Sequence, residues 1–233
     1  GAGVTAGSGT TVSAPTTSSD GLKTQQTVTT SAGGSGTTTL TNAGGGSGTT
    51  VTLPAGSGMT VTTPIATVTS SNAASTVASE SGGTALDSNT QSFLGTLAGN
   101  QGLDVRTIIP TTVTGTPEDP IVITGSTNAT QSEAFVIDIR NLPTGTSLTL
   151  DNIEFASVMG SATITGGAGE NYVVGDDATQ FISLGPDDDT LMGGGGADTI
   201  GSGGGEDVLY GNKGIDLVFG GEGNDTLYGG QDE

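Results

Sequence analysis

Aspartate residues recur every nine positions through the last third of the chain, and their carboxylates are groups that could hold a metal ion. From Gly193 the units read GGGGADTIG, SGGGEDVLY, GNKGIDLVF and GGEGNDTLY, preceded by the looser GGAGENYVV, GDDATQFIS and LGPDDDTLM from Gly166. The sixth position of the unit holds Asn171, Gln180, Asp189, Asp198, Asp207, Asp216 and Asp225, and the eighth holds Val173, Ile182, Leu191, Ile200, Leu209, Val218 and Leu227. One column is therefore mainly carboxylate and the other is wholly aliphatic.

The element that can position such a column is a parallel β-solenoid. Only stacked coils let a short repeat place the same side chain in the same environment at every turn. Two nonapeptides make one turn of about eighteen residues, and each supplies a glycine bend followed by a three-residue strand. Glycine suits the bend, which requires positive φ and close approach of backbone.

Stacking predicts a ladder of like charges, because neighbouring strands lie roughly 4.7 Å apart. The eighteen-residue turn pairs Asp189 with Asp207, Asp207 with Asp225, and Asp198 with Asp216. Calcium fits this ladder because it accepts six to eight oxygen ligands in flexible geometry. Zinc or copper would favour thiolate or imidazole, and the chain has neither Cys nor His. We expect about three well-formed sites between coils, with Asn171 and Gln180 marking a calcium-poor start.

These residues resemble the RTX (repeats-in-toxin, haemolysin-type calcium-binding) family over residues 166–233. The resemblance implies a calcium-loaded parallel β-roll on a protein exported by type I secretion. The metal ligands it implies are the carboxylates of Asp189, Asp198, Asp207, Asp216 and Asp225 and bend carbonyls such as those of Gly194, Gly196, Gly203, Gly205, Gly221 and Gly223. Departures at Asn171, Gln180, Leu184, Ser202 and Asn212 put the early sites and some bend geometry in question.

The alternative to a roll is acidic, glycine-rich disorder, which the composition alone permits. Disorder gives no reason to keep an aliphatic residue at each eighth position over seven units. Without calcium, however, disorder becomes the favoured state, because the carboxylates repel and glycine loses the most entropy on ordering.

Composition limits the possible partners. With 24 acidic and 4 basic residues the net charge is −20, which argues against nucleic acid or an anionic membrane as a partner. No run approaches 18 apolar residues, so no membrane span is expected. The chain begins with Gly1 rather than Met, so we expect a processed or truncated piece.

Residues 1–88 are rich in Thr, Ser, Gly and Ala, with glycine-led repeats at Gly7, Gly34, Gly46 and Gly56. Short alternating runs such as TTTLT and TTVTLP have the β-branched content of strands. Two interpretations compete. The segment is a flexible stalk, favoured for an isolated chain because little apolar area is available, or a set of assembly strands that stack into a sheet or against a neighbouring subunit.

The sequence of residues 89–165 predicts a small β-rich domain. The sequence SNTQSFLGTLAGN, capped by Ser88 or Asn89, predicts one short helix, and five strand-like runs follow it. This domain is interpreted as a cap on the solenoid or as its opening coils. Its expected core is apolar: Phe135, Ile137, Ile139, Leu148, Leu150, Ile153 and Phe155. The predicted fold class is thus all-β, with a C-terminal parallel β-roll in 166–233, a β-rich cap and a Thr/Gly-rich N-terminal segment.

Catalysis has little support in the sequence, and we expect no enzyme. Without His there is no zincin motif and no Ser-His-Asp or Cys-His arrangement. The run from Asp187 to Asp189 could be taken for a glycosidase pair, but its place in the repeat makes calcium the better explanation.

Three functions remain open. The first is an extracellular, calcium-dependent structural protein of a bacterial surface (surface layer, matrix fibre or adhesin) that self-associates after export. The second is the calcium-binding region of a larger secreted toxin or hydrolase, and the third is an adhesin tip that binds glycans through calcium.

Overall fold

The computed structural model describes residues 3–231 apart from 20, 22, 42–46, 66–67, 84, 101, 113–118, 128–129 and 144. Gly46, which opens one of the Thr-rich repeats, and residues 1–2 and 232–233 of the predicted segments lie outside the described residues.

Two β-sheets run along the described part of the chain, and strands are numbered β1 to β20 in chain order. Sheet A has nine strands in the order β1 (Gly3–Ala6), β5 (Gly36–Thr41), β6 (Ser47–Leu53), β9 (Ile121–Thr124), β11 (Ser147–Asp151), β13 (Thr163–Gly166), β15 (Phe181–Ser183), β17 (Thr199–Gly201) and β19 (Leu217–Phe219). Sheet B has the order β2 (Thr10–Val12), β4 (Thr24–Thr30), β7 (Ser57–Thr62), β8 (Gly102–Thr112), β10 (Gln131–Asp138), β12 (Phe155–Met159), β14 (Tyr172–Val174), β16 (Thr190–Gly194), β18 (Val208–Asn212) and β20 (Thr226–Tyr228), with β3 (Thr16–Thr17) paired to β4.

The nonapeptide strands alternate between the two sheets, so two repeats complete one coil. Tyr172 pairs with Thr190 and Thr190 with Val208 in sheet B, and Phe181 pairs with Thr199 in sheet A, all in parallel register. Each step is eighteen residues. The predicted parallel β-roll and the all-β fold class are confirmed.

The solenoid begins well before the repeats, and its early coils are longer. Val105 pairs with Ala134, Ala134 with Phe155, and Phe155 with Tyr172, again in parallel. The step along sheet B falls from 29 to 21 to 17 residues before it settles at eighteen. Of the two interpretations of residues 89–165, the structure therefore shows opening coils of the same solenoid.

The N-terminal strands extend both sheets in antiparallel fashion. In sheet A, β6 pairs with β9, and in sheet B, β7 pairs with β8. The favoured flexible-stalk interpretation is therefore wrong for the described residues of 3–62. The alternating Thr and Val of these strands buries one face, and the strands stack into the two sheets by pairing with the open edge of the solenoid in the same chain. The division of the chain at 88/89 and 165/166 stays a prediction.

Two helices cover the outer face of sheet B. The sequence predicted α2 (Ser88–Asn100) but not α1 (Ala73–Glu80). The N-cap of α2 is Asp87 rather than Ser88 or Asn89, because its Oδ1 accepts the backbone N–H of Thr90 at 2.8 Å. Phe93 of α2 stacks on Tyr172 of β14 with ring centroids 4.5 Å apart.

The core lies between the sheets and follows the solenoid axis. The apolar residues expected from the sequence, Phe135, Ile137, Ile139, Leu148, Leu150, Ile153 and Phe155, are all buried. The aliphatic column is buried from Val173 to Leu209 and becomes exposed at Leu227. A second apolar cluster lies between sheet B and the helices and contains Leu94, Val136 and Phe155.

Two buried polar groups link the N-terminal strands to the coils. Arg106 is fully buried, pairs with Asp104 through Nε at 2.9 Å, and donates to the carbonyl oxygens of Gly3 and Thr41. Glu133 is also fully buried, and its Oε1 accepts the hydroxyl of Thr49 at 3.2 Å. Burial and the neighbouring Glu154 raise the pKa of Glu133 well above its ordinary value.

Candidate metal centre

The sixth-position residues form two columns, one at each side of the solenoid. Column B precedes the strands of sheet B, and column A precedes those of sheet A. Column B contains Asn171, Asp189, Asp207 and Asp225, and column A contains Gln180, Asp198 and Asp216. The structure brings together the three pairs that the repeat length predicted.

One oxygen of each carboxylate is bound to the backbone of the preceding coil. Oδ1 of Asp207 accepts the N–H of Asp189 at 2.8 Å, and Oδ1 of Asp225 accepts the N–H of Asp207 at 3.1 Å. In column A, Oδ1 of Asp216 accepts the N–H of Asp198 at 2.9 Å. The columns are thus hydrogen-bonded ladders, and only the second oxygen remains for another partner.

That second oxygen is buried without a hydrogen-bond partner in three of these aspartates: Asp198, Asp207 and Asp216. Asp189, Asp198 and Asp207 are each at most 2% exposed. A buried carboxylate oxygen without a partner is costly. These atoms are therefore the candidate positions for a cation.

Glycines at the first position of the unit make room beside these oxygens. A Cβ on Gly193 would lie 2.8 Å from Oδ2 of Asp198 and 2.9 Å from the carbonyl oxygen of Gly211. A Cβ on Gly211 would lie 2.7 Å from Oδ2 of Asp216 and 2.4 Å from the carbonyl oxygen of Gly229. The missing side chain leaves a gap in which a carboxylate oxygen and a carbonyl oxygen of the next coil come together.

Ser202 replaces the first-position glycine in its repeat without breaking the bend. Its hydroxyl lies 3.1 Å from Oδ2 of Asp189 and 3.3 Å from the carbonyl oxygen of Gly185. Oδ2 of Asp189 thus has a side-chain partner in Ser202. The serine adds a hard oxygen to the bend.

Burial also changes the titration of the columns. It raises the pKa of Asp189 and of Asp198 to about 6 and raises the pKa of Asp207. The backbone N–H bonds to these carboxylates oppose this effect. A bound divalent cation would favour the ionised form.

Five of the six bend glycines implied by the resemblance have positive φ. Gly194, Gly196, Gly205, Gly221 and Gly223 have φ between 94° and 141°, so the bends adopt the backbone conformation that glycine allows. The carbonyl oxygens of Gly194 and Gly203 already accept backbone N–H groups, from Lys213 and Glu222 respectively. Their role as ligands stays a prediction.

The donor set fits calcium. It consists of carboxylate, carbonyl and hydroxyl oxygens, which are the ligands that calcium accepts. Within the described ranges, no three His, Cys, Asp or Glu side chains come together. Each ion would therefore depend on backbone oxygens as well as on one or two aspartates. Calcium, when bound, supplies positive charge beside the second carboxylate oxygens.

Sequence reasoning missed the first-position glycines as part of the site. The signal was present, because Gly166, Gly175, Gly193, Gly211 and Gly220 recur in one column. The prediction instead took glycines at the second and fourth positions of the repeat as ligands.

Comparison with known families identifies the repeat. Residues 160–179, 166–200, 175–209, 183–218 and 201–233 match the family model of the RTX calcium-binding nonapeptide repeat. Residues 160–233 therefore carry RTX calcium-binding nonapeptide repeats. Repeats of this family bind calcium, which agrees with the unpartnered carboxylate oxygens described above. No curated protein and no solved structure was found to match the chain.

The RTX match assigns the ion but not the individual ligands. The eleven predicted ligand residues of the roll therefore stay a prediction that the geometry supports for the aspartates. Among the described residues, no helix combines the length and apolar character needed to cross a bilayer.

Proposed function

We propose that this protein is an extracellular, calcium-dependent structural protein of a bacterial surface, a component of a surface layer, fibre or adhesin that folds and self-associates after export. The observation that carries the proposal is the pair of columns of buried carboxylates with unpartnered oxygens. Such columns link folding to the calcium concentration, because an ion that binds only the folded state stabilises it. Calcium is scarce in the cytosol and abundant outside, so the roll would fold after export.

Self-association has support on the outer face of sheet A. Phe181, Leu217 and Phe219 are between 49% and 59% exposed. They occupy positions seven and nine of the repeat, which point away from the core because side chains alternate along a strand. Helices α1 and α2 pack on the outer face of sheet B as far as Met192 and Tyr210, whereas these apolar side chains on sheet A are open to solvent. An apolar face of this kind is typical of a contact surface.

The test is light scattering and electron microscopy of the purified chain over a calcium titration, with magnesium and EDTA as controls. We expect ordered assemblies above a threshold of calcium and dispersal on chelation. Phe219→Ser should prevent assembly while leaving the calcium-induced β content unchanged, and Thr226→Ser is the matched control in an exposed position of β20. A monomer at every calcium concentration would contradict the structural role and favour the calcium-binding region of a larger exported protein.

A further inference from the structure

The first residue of each column is an amide rather than a carboxylate. Asn171 opens column B and Gln180 opens column A, and they are only 2% and 3% exposed. Their backbone N–H groups donate to Asp189 and Asp198 of the next coil, both at 2.8 Å, as in the carboxylate ladder. The two amides are therefore true members of the columns, and what differs is the chemistry of their side chains.

The amide nitrogens face the coils that precede the repeats. Nδ2 of Asn171 donates to the carbonyl oxygen of Ile153 at 2.9 Å. Nε2 of Gln180 lies 3.0 Å from the carbonyl oxygen of Gly160, 3.3 Å from that of Val158 and 3.1 Å from Oδ1 of Asp176. All of these atoms are acceptors, so they fix which end of each amide is the nitrogen.

The amide oxygens face the repeats. Oδ1 of Asn171 and Oε1 of Gln180 are buried without a hydrogen-bond partner, like the second oxygens of Asp198, Asp207 and Asp216. A Cβ on Gly175 would lie 2.1 Å from Oε1 of Gln180 and 2.2 Å from the carbonyl oxygen of Gly193. This is the same arrangement that Gly193 makes with Asp198 one coil further on.

The oxygen cluster around Gln180 explains why an amide stands there. Two carbonyl oxygens and one carboxylate oxygen converge on Nε2, and a carboxylate in its place would meet three partial or full negative charges. Between the later coils, a cation would supply positive charge beside the unpartnered carboxylate oxygens. Here the N–H groups of the amide supply the positive end of a dipole instead.

We propose that Gln180 and Asn171 form the boundary between calcium-independent and calcium-dependent coils. Their amide nitrogens take the place of a cation toward the opening coils, and their oxygens are neutral ligands for the first ion on each side of the roll. The coils up to β15 then remain folded without calcium, and their edge strands pair with β16 to β20 when calcium binds. The proposal rests on calcium-driven folding of the roll and not on self-association.

The test compares Gln180→Glu with Gln231→Glu, which makes the same isosteric change at an exposed bend. Local order is followed by hydrogen exchange in EDTA and in calcium. The reporters are the amide of Phe181, which donates to Ala162, and the amide of Thr226, which donates to Asp207. Calcium stoichiometry is counted by native mass spectrometry.

We expect the wild-type chain in EDTA to protect Phe181 and to lose protection at Thr226. Gln180→Glu should lose protection of Phe181 by at least tenfold in EDTA, regain it in calcium and bind one more ion per chain. Gln231→Glu should behave like wild type. Protection of Phe181 in the Gln180→Glu variant that equals wild type in EDTA would overturn the proposal, as would an unchanged ion count.

A second variant separates charge from the loss of the donor. Gln180→Met removes the N–H groups without adding charge, so its protection of Phe181 should fall in EDTA and should not return fully in calcium. Full protection in both conditions would overturn the proposal even if the glutamate variant failed to fold. If wild-type Thr226 is equally protected in EDTA and in calcium, the proposed calcium-driven folding fails first, which distinguishes the two failures.

Discussion

Each column carboxylate that has one hydrogen-bonded and one unpartnered oxygen is a single residue whose free energy depends on pH and on bound calcium. In Asp198, Oδ2 is buried without a hydrogen-bond partner, whereas Oδ1 accepts the backbone N–H of Gln180. The backbone N–H of Asp198 in turn donates to Oδ1 of Asp216. One oxygen of the carboxylate therefore binds the backbone, and the other is available to an ion. A bound calcium ion would offset the cost of burying the charge.

The pH dependence of the ion-free roll follows from the raised pKa of Asp198, about 6. A carboxyl whose pKa is higher in the folded than in the unfolded chain stabilises the fold when protonated. This stabilisation is complete below the unfolded pKa of about 3.9 and is lost as the pH rises through 6. In EDTA, the local stability around Thr199 should therefore be higher at pH 4.5 than at pH 7.5, as measured by hydrogen exchange.

Asp198→Asn tests the same carboxylate directly. In EDTA at pH 7.5 the variant should be more stable than wild type, because the buried charge is gone, and at pH 4.5 the two should be similar. In calcium it should bind one ion fewer and be the less stable chain. An ion-free wild type whose local stability rises between pH 4.5 and 7.5 would contradict this account.

At the level of single elements, the helix over sheet B shows what a sequence can and cannot reveal. The apolar spacing of Phe93, Leu94 and Leu97 predicted α2, because a helix must bury such a stripe. The cap was placed one or two residues late, since Asp87, Ser88 and Asn89 are all good N-caps and only the folded chain shows which side chain reaches Thr90. The helix α1 was missed because Val77 is the only large apolar residue in its Ala- and Ser-rich sequence.

The cap assignment makes a clear prediction. Asp87→Ala should lower the free energy of unfolding by about 1 kcal/mol, because the N–H of Thr90 loses its acceptor. Ser88→Ala, one residue later on the exposed first turn, should change it by less than about 0.5 kcal/mol. Urea denaturation in saturating calcium measures both. Equal effects of the two substitutions would reject Asp87 as the cap.

The N-terminal strands were harder to place than the roll because their partners are remote in sequence. Thr, Val and Leu at period two in β5 and β6 correctly indicated strands. Nothing in that pattern states that Val51 pairs with Ile123, a residue of a later parallel coil. The roll, in contrast, repeats every nine residues, so its register follows from the length of the repeat alone.

Across the whole molecule, charge is distributed unevenly. Residues 166–233 carry fourteen acidic residues and a single basic one, Lys213, whereas the remaining ten acids are spread over residues 1–165. The opening coils have an extensive apolar core and paired buried charges such as Arg106 and Asp104. Acidic charge is therefore concentrated at one end of a continuous pair of sheets, and the extensive apolar core lies toward the other.

This gradient predicts the effect of simple salt. In EDTA, raising NaCl from 0.1 M to 1 M should stabilise the C-terminal coils, because the Debye length falls from about 10 Å to about 3 Å and the exposed acids repel less. In saturating calcium the same series should have little effect. Circular dichroism melting in both conditions provides the comparison. Identical salt dependence with and without calcium would mean that like-charge repulsion does not limit the ion-free roll.

The last two tyrosines of sheet B form an intrinsic spectroscopic probe. Tyr210 and Tyr228 belong to adjacent coils, and their rings stack with centroids 4.5 Å apart and planes only 4° from parallel. The chain contains no tryptophan to obscure them, and its one other tyrosine, Tyr172, lies beneath α2. Electronic coupling between the two tyrosine rings depends on the spacing of the last two coils and needs no added label. The appearance of this coupling during folding marks the point at which these coils stack.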